Sequence, residues 1–352
     1  MMTVRRTYAV VGAVTSAAAL ALALGMPAQG AAIIGWRVVF SHHYGAPANQ
    51  SLYTAVVATG QRDAWAFGVD NWVKPGSGRP VAEHWNGSTW RQSALPPGLH
   101  SSIYAASASS ASNVWAAPEF GGEILRWNGS TWSVAKKLSG PYALTGVKAF
   151  SADDVWVSGG GSSAFPGFGT WHFNGRTWTK VTGTGAGVSS FSAVSPANMW
   201  GIGSIKNPGD AILHYNGTTW RHVTAPVLTG FGPQMILAES ANDVWVTGTP
   251  QTNGRVWRIL RFDNGTWTSV PLPWPTTGLA WLASDGRGGF WLEAYTHHGT
   301  WTWHRSASGQ WSRTQVYPGV MALIPGTTSL LGAGGTPAKP DYATIWAYGP
   351  FG

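Results

Sequence analysis

In Asp243-Val244-Trp245-Val246-Thr247-Gly248, the neighbours Val244 and Trp245 would point to opposite faces of a strand, yet both are apolar. A strand of that kind is buried on both sides, whereas a half-wet strand of a sandwich alternates. The phrase returns as Asp63-Ala64-Trp65, Asn113-Val114-Trp115, Asp154-Val155-Trp156, Asn198-Met199-Trp200 and, in worn form, Gly289-Phe290-Trp291. About 20 residues after each comes a second phrase, Gly-x-Thr-Trp or a variant of it. Its tryptophans are Trp90, Trp132, Trp178, Trp220, Trp267 and Trp311, separated by 42, 46, 42, 47 and 44 residues. A period of 40 to 50 residues built from short β-type runs is the signature of a β-propeller.

One repeat reads as one four-stranded blade. In the fifth, Gln234 to Ala238 is an apolar strand A and Asp243 to Gly248 is strand B. Arg258 to Phe262 makes strand C, and Thr266 to Val270 strand D. Asn86-Gly87, Asn128-Gly129, Asn174-Gly175, Asn216-Gly217 and Asn264-Gly265 lie between C and D. Such a dipeptide suits a type I′ hairpin, in which both residues take positive φ. Strands A are rich in small residues, as in Ala105 to Ser109 and Phe191 to Val194, as strands converging on an axis require.

The last repeat offers strands around Val320 to Ile324, Ser329 to Gly332 and Thr344 to Tyr348, and no fourth strand follows. An orphan copy of the strand D phrase stands at Ile34 to Val39, around Trp36 and ahead of the first complete repeat. A ring whose last blade takes its outer strand from 33–40 removes an open sheet edge. The sequence therefore predicts an all-β, seven-bladed propeller of four-stranded antiparallel blades, closed by the N-terminal strand, as a single domain over 33–352.

Residues 1–32 read as a signal peptide: Arg5 and Arg6, an apolar run from Tyr8 to Gly25, then small residues at Ala28, Gly30, Ala31 and Ala32. Arg5-Arg6 fits a general secretory signal and loosely a twin-arginine one. Cleavage near Gly30 or Ala32 predicts a secreted, extracellular protein. The apolar run is short for a membrane span. The chain has no cysteine, so the 23 tryptophans are expected to do the work of disulfides. Without Arg5 and Arg6, 20 Lys and Arg face 14 acids, a net +6. Arg37, Arg91, Lys136, Lys137, Lys180, Arg221 and Arg313 follow the strand D tryptophans, where cations protect exposed edges, so the excess does not call for nucleic acid.

Asn-Asp-Val-Trp-x-x-Gly with His-Tyr-Asn-Gly-Thr-Thr-Trp resembles a repeat of exported bacterial, especially actinobacterial, β-propeller proteins. The resemblance covers the mature chain, is specific for architecture and is silent on activity. Gly-x-Thr-Trp is also similar to the end of the Asp-box of sialidase-type propellers. Trp85, Trp127, Phe173 and Tyr215 occupy the position of that box's Asp, and Asp263 comes near it in a loop one residue shorter. The likeness is therefore confined to a turn.

No nucleophile motif, phosphate loop or zinc-helix pattern is present, so no catalytic residue, metal site or cofactor is assigned. Asp63, Asp153, Asp154 and Asp243 open strands B, where Asx turns to the backbone are the default. Glu119 and Glu123 are close in sequence and read as a solvated pair. His42-His43 and His297-His298 are adjacent residues that face opposite ways on a strand, a poor two-ligand set.

The irregular B-to-C and D-to-A connections all emerge on one face, around the channel mouth, where binding residues concentrate. They supply the candidate ligand contacts Trp72, Lys74, Arg79, Phe165, Phe168, Lys206, Asp210, Trp274, Lys339 and Asp341. Trp72 and Trp274 lie outside the framework positions and could stack on a sugar; Trp274, between prolines, fits local packing better. The sequence points to a monomeric binding module for an extracellular glycan, cell-wall polymer or protein. Its rivals are a polysaccharide hydrolase or lyase, and a spacer without a small ligand.

Overall fold

The computed structural model describes residues 35–43, 50–74, 77–140, 143–160, 168–181, 187–204, 210–251, 256–336 and 339–352. The expected signal peptide at 1–32 lies outside them. The chain forms seven four-stranded antiparallel sheets. Blades one to six span 50–92, 103–137, 146–180, 187–222, 231–270 and 278–314, each with its four strands in chain order. Apart from one turn of 3-10 helix at Pro226–Leu228, regular structure among the described residues is all strand. Among the described residues no helix is long and apolar enough to cross a membrane.

The seventh sheet has strands A to C at Val320–Leu323, Leu330–Thr336 and Lys339–Tyr348, with Trp36–His42 as its outer strand. Trp36 lies opposite Tyr348 and Arg37 opposite Ala347. The Arg37 guanidinium donates to the carbonyls of Gly349 (2.6 Å) and Phe351 (3.1 Å), fastening the chain's end to its leading strand. The closing strand thus lies two to three residues later than the orphan phrase at Ile34 to Val39 suggested.

The blades are joined by aromatic rings. Trp65 of strand B in blade one is met by the strand C Trp127 and strand D Trp132 of blade two, at 4.9 and 5.2 Å between centroids. Trp115 meets Phe173 and Trp178 of blade three, at 5.7 and 5.8 Å. Trp156 meets Tyr215 of blade four at 5.1 Å, and Trp200 meets Phe262 and Trp267 of blade five at 5.0 and 6.0 Å. In blade six Arg305 replaces the strand C ring and lies over Trp245 at 4.8 Å. Trp36 and Tyr348 close the series on Trp291, at 5.7 and 4.6 Å. The aromatics at the Asp-box Asp position, Trp127, Phe173 and Tyr215, therefore serve as inter-blade packing.

Blade seven has Leu331, opposite Ala347, where blades one to six carry the strand B tryptophan. Leu331 is fully buried in the core shared with blade one, where its aliphatic side chain supplies no ring. Trp85 and Trp90 of blade one instead pack on Phe351 (5.2 and 6.2 Å), and Trp90 also on Phe40 (6.1 Å).

The C-to-D turns depart from the expected type I′ geometry except in blade five. Only Asn264 among their asparagines has positive φ (46°), followed by Gly265 at 93°. In blades one to four a four-residue loop separates the strands. The Asn carboxamide there accepts two backbone N–H groups, as Asn86 does from Ser88 (3.1 Å) and Thr89 (3.0 Å). Asn is used for its side chain, and only the glycine, such as Gly87 at 91°, needs left-handed backbone.

Closure by the leading strand makes a testable claim. Trp36→Ala is expected to lower the unfolding free energy by about 3–5 kcal/mol, the usual cost of truncating a packed large aromatic. Val38→Ala on the same strand, where Val38 is 45% exposed, should change it by no more than about 0.5 kcal/mol. Denaturant unfolding of both variants checks this; equal effects would refute the closing role of Trp36.

Candidate functional site

Antiparallel alternation sends all B-to-C and D-to-A connections to one face of the ring. Under that face, on the axis, lies a cavity of about 400 Å³. Every blade contributes to it from its innermost strand or the residues leading into that strand. The lining comprises Thr54, Tyr104, Thr145, Ser189, Ser190, Gln234, Met235, Ile236, Trp281, Leu282, Val320 and Met321. None of them is charged, and the volume falls within the range of small-molecule sites.

Part of this lining maintains the ring. The outermost edge of each innermost strand has backbone groups with no fifth strand to pair with, and neighbouring blades satisfy some of them with hydroxyls. Thr54 donates to the Ile103 carbonyl at 2.5 Å, and Thr145 to that of Ser189. Lower down, Ser107 accepts from the Ala149 amide (3.0 Å) and Ser192 from that of Ala238 (2.9 Å).

Four lining residues are different. The side chains of Tyr104, Ser190, Gln234 and Trp281 make no hydrogen bond among the described residues, and Tyr104 and Trp281 are 40% and 37% exposed. Trp281 sits where the pairing of strands A and B in blade six is interrupted between Ala280 and Ala283, with φ +52°. Left-handed backbone is unusual for a bulky residue and costs about 1–3 kcal/mol. Among the described residues, Trp72 and Trp281 alone of the tryptophans have no ring, cation or hydrogen-bond partner.

Sequence reasoning missed Trp281 and Tyr104, because it treated innermost strands as small-residue filler. The available signal was a tryptophan ten residues ahead of Trp291, off both repeated phrases.

The residues expected to bind are distributed unevenly. Asp70 is fully buried at the upper end of strand B in blade one, where it accepts from Arg79 (2.8 Å) and Ser51 (3.3 Å). Trp72 ends that strand half-buried, and Lys74 follows it exposed in a turn held by Ser77. Phe168 is buried in the core between blades two and three. Trp274 stacks on Trp303 at 3.5 Å with planes 9° apart and takes Trp311 edge-on at 5.0 Å, so its ring is engaged in packing. Asp210 opens strand C of blade four, and Lys339 and Asp341 lie on strand C of blade seven; their side chains, like Phe165 and Lys206 entirely, fall outside the described residues. Glu123, expected to be one of a solvated pair with Glu119, is buried and bound to Lys137 at 2.7 Å.

Asp63, Asp154 and Asp243, which open strands B, do not make the expected Asx turns. Asp285, ahead of strand B in blade six, does make one, accepting the Arg287 amide at 2.7 Å. Asp63 contacts Nε2 of His84 (2.7 Å), Asp154 that of His172 (2.9 Å) and Asp285 that of His304 (2.8 Å), while Asp243 holds Arg261 at 2.8 Å. Each of these strand C residues also lies against a strand B tryptophan. His84, His172, His214 and His304 stack on Trp65, Trp156, Trp200 and Trp291 at 4.1–4.5 Å. Arg126 and Arg261 cover Trp115 and Trp245 at 5.2 and 4.9 Å. The signal was a His or Arg two residues ahead of the turn asparagine in blades one to four.

Among the described residues no three His, Asp or Glu converge as metal ligands. His297 and His298 are exposed in the turn between strands B and C of blade six, and His43 lies against Tyr342 at 5.1 Å.

Burial shapes the remaining electrostatics. It pushes the Tyr104 hydroxyl above its usual range, with Glu119 adding to the effect, and raises Glu119 itself. The Lys148 ammonium on strand A of blade three is pushed down by burial. Glu239 is raised to about 7 by burial, against the hydrogen bond from Ser284. Glu293, buried at the junction with blade seven, is also raised to about 7, although it accepts the Gly319 amide at 2.8 Å.

A carboxyl raised on folding keeps a proton that the unfolded chain has released. Its contribution is full below the ordinary glutamate range and is lost as pH rises through about 7. Glu293→Gln should therefore flatten the decline in stability from pH 5 to 8. Relative to wild type it should gain about 2–3 kcal/mol across that interval, by denaturant unfolding. Parallel profiles would show that Glu293 does not hold its proton.

No protein-family model matches the sequence, nor does any curated protein. Solved structures do resemble the fold. YCF48 bound to D1 peptide matches with a TM-score of 0.63 and 12% identity, over 89% of this chain and 96% of that one. A catalytically inactive virginiamycin B lyase from Staphylococcus aureus with quinupristin gives 0.62 and 13%, over 89% and 99%. The WD40 repeats of RRP9 give 0.61 and 10%, over 90% and 97%. At such identities the likeness concerns the fold alone.

Proposed function

We propose that the protein is a monomeric binding module exported to the cell exterior, with its ligand seated in the axial cavity on the loop-rich face. The ligand class is a carbohydrate, cell-wall polymer or protein. The observation that carries this reading is the cavity itself, which leaves the side chains of Tyr104, Ser190, Gln234 and Trp281 without hydrogen bonds among the described residues while neighbouring hydroxyls tie the blades. A spacer has no need of open polar side chains at its centre. The chemistry of the acids favours binding over hydrolysis: Asp63, Asp154, Asp243 and Asp285 are engaged with His or Arg, Glu123 with Lys137, and the cavity lining contains no carboxylate. A glycosidase needs two acids about 5–10 Å apart across the bond it cleaves. Propellers of similar shape include one bound to a peptide and a lyase. The shape accommodates both activities, so the choice rests on the side chains.

Export rests on Arg5, Arg6 and the apolar run behind them. As a test, residues 33–352 would be applied to arrays of glycans, cell-wall polymers and extracellular proteins. Retention without release of new sugar ends is expected, with Gln234→Ala weakening it several-fold while the fold is kept. Release of product from any retained polymer would replace this reading with the hydrolase or lyase.

A further inference from the structure

Resting on that reading, we infer that the axial cavity binds the uncharged terminal sugar of a saccharide chain, with Trp281 as its stacking platform. Three independent features lead there. The first is the indole of Trp281. Elsewhere the tryptophans lie against rings, cations or hydrogen-bond acceptors, and only Trp72 shares its lack of a partner among the described residues. Trp281 stands in the cavity, 37% exposed, on left-handed backbone inside an interrupted strand pairing. Strain of this kind persists where the surroundings over-determine it, typically at ligand clamps. An open indole face in water fits an occupant with an apolar C–H face, which a pyranose ring has.

The second feature is the chemistry of the other free groups. The Gln234 carboxamide offers two donors and an acceptor, and the Tyr104 and Ser190 hydroxyls each donate and accept. Groups that both donate and accept match sugar hydroxyls, which do the same. An anionic ligand would instead call for Arg or Lys in the wall, and the lining has neither. Burial and Glu119 both hold the Tyr104 proton in place, so this hydroxyl stays a donor.

The third feature is enclosure. Seven blades surround the cavity, so a chain enters along the axis by its end rather than lying across it by its middle. The volume of about 400 Å³ suits such a terminus and excludes a folded protein surface.

Binding to cello-, chito-, manno- and maltotetraose, an alginate tetrasaccharide and a proline-rich hexapeptide would be measured by calorimetry. The proteins would be residues 33–352 and its Trp281→Gly and Trp281→Phe variants. Glycine accepts φ +52°, so Trp281→Gly is expected to fold with an unchanged or higher melting temperature and to bind a neutral tetrasaccharide at least tenfold more weakly. Trp281→Phe should retain part of the affinity. Wild-type affinity in Trp281→Gly, or no neutral saccharide bound by the wild type, would overturn the inference. Binding of only the alginate or the peptide, lost in Trp281→Gly, would refute the neutral sugar and leave the axial site standing. Binding insensitive to both Trp281→Gly and Gln234→Ala would refute the axial site as well.

Discussion

The contact on which this ring depends is the strand B tryptophan of one blade meeting the strand C and strand D aromatics of the next. A wedge-shaped sheet buried on both faces has no stability alone, because each face needs a neighbour. Trp65, Trp115, Trp156, Trp200 and Trp291 supply that neighbour five times with nearly the same geometry, and Trp245 varies it with Arg305. Each aromatic pair adds about 0.5–1.5 kcal/mol beyond the area it buries. Repetition around a closed ring is what lets the chain dispense with disulfides. On its own blade, the same tryptophan carries a flat His or Arg anchored by an acid or amide at the start of strand B. Four of the 14 acids, Asp63, Asp154, Asp243 and Asp285, are thereby committed to architecture.

Closure follows from the same contact. Trp36 and Tyr348 lie on Trp291 of blade six, so the leading strand completes the aromatic series as well as the hydrogen-bonded edge. Across the other face of blade seven the series fails, since Leu331 stands where the other blades carry an indole. Phe351 and Phe40 fill that seam against Trp85 and Trp90, and Arg37 holds the final carbonyls in position. The junction between blades seven and one is therefore built from both ends of the described chain.

Much of this was legible in the sequence because repetition amplifies a weak signal. The doubly apolar Asp-Val-Trp phrase and its regular alternation with Gly-x-Thr-Trp gave the blade count, and the orphan phrase at Trp36 gave the closing strand. What escaped was whatever depends on side-chain direction. Asn86, Asn128, Asn174 and Asn216 look like type I′ residues by their dipeptide, but bond backbone amides with their side chains. His84, His172 and His304 recur as faithfully as the tryptophans, yet their role appears only once strands B and C are in register. Trp274 shows the converse: a tryptophan off the repeat that packs on Trp303 all the same.

A ring of near-identical wedges has, at its centre, near-identical walls, and such walls cannot orient a ligand that lacks sevenfold symmetry. Specificity has to come from departures. Where blades one and three place Thr54 and Thr145 and tie the next innermost strand with them, blade two has Tyr104, blade five has Gln234, and blade six breaks its strand pairing to turn Trp281 toward the axis. These departures lie beside the regular ties and do not replace them, so the framework can carry a strained residue without losing its seams. That separation is the physical reason to look for recognition at the asymmetric side chains on the axis. The conserved geometry of the blades explains the container; the exceptions to it explain what the container could hold.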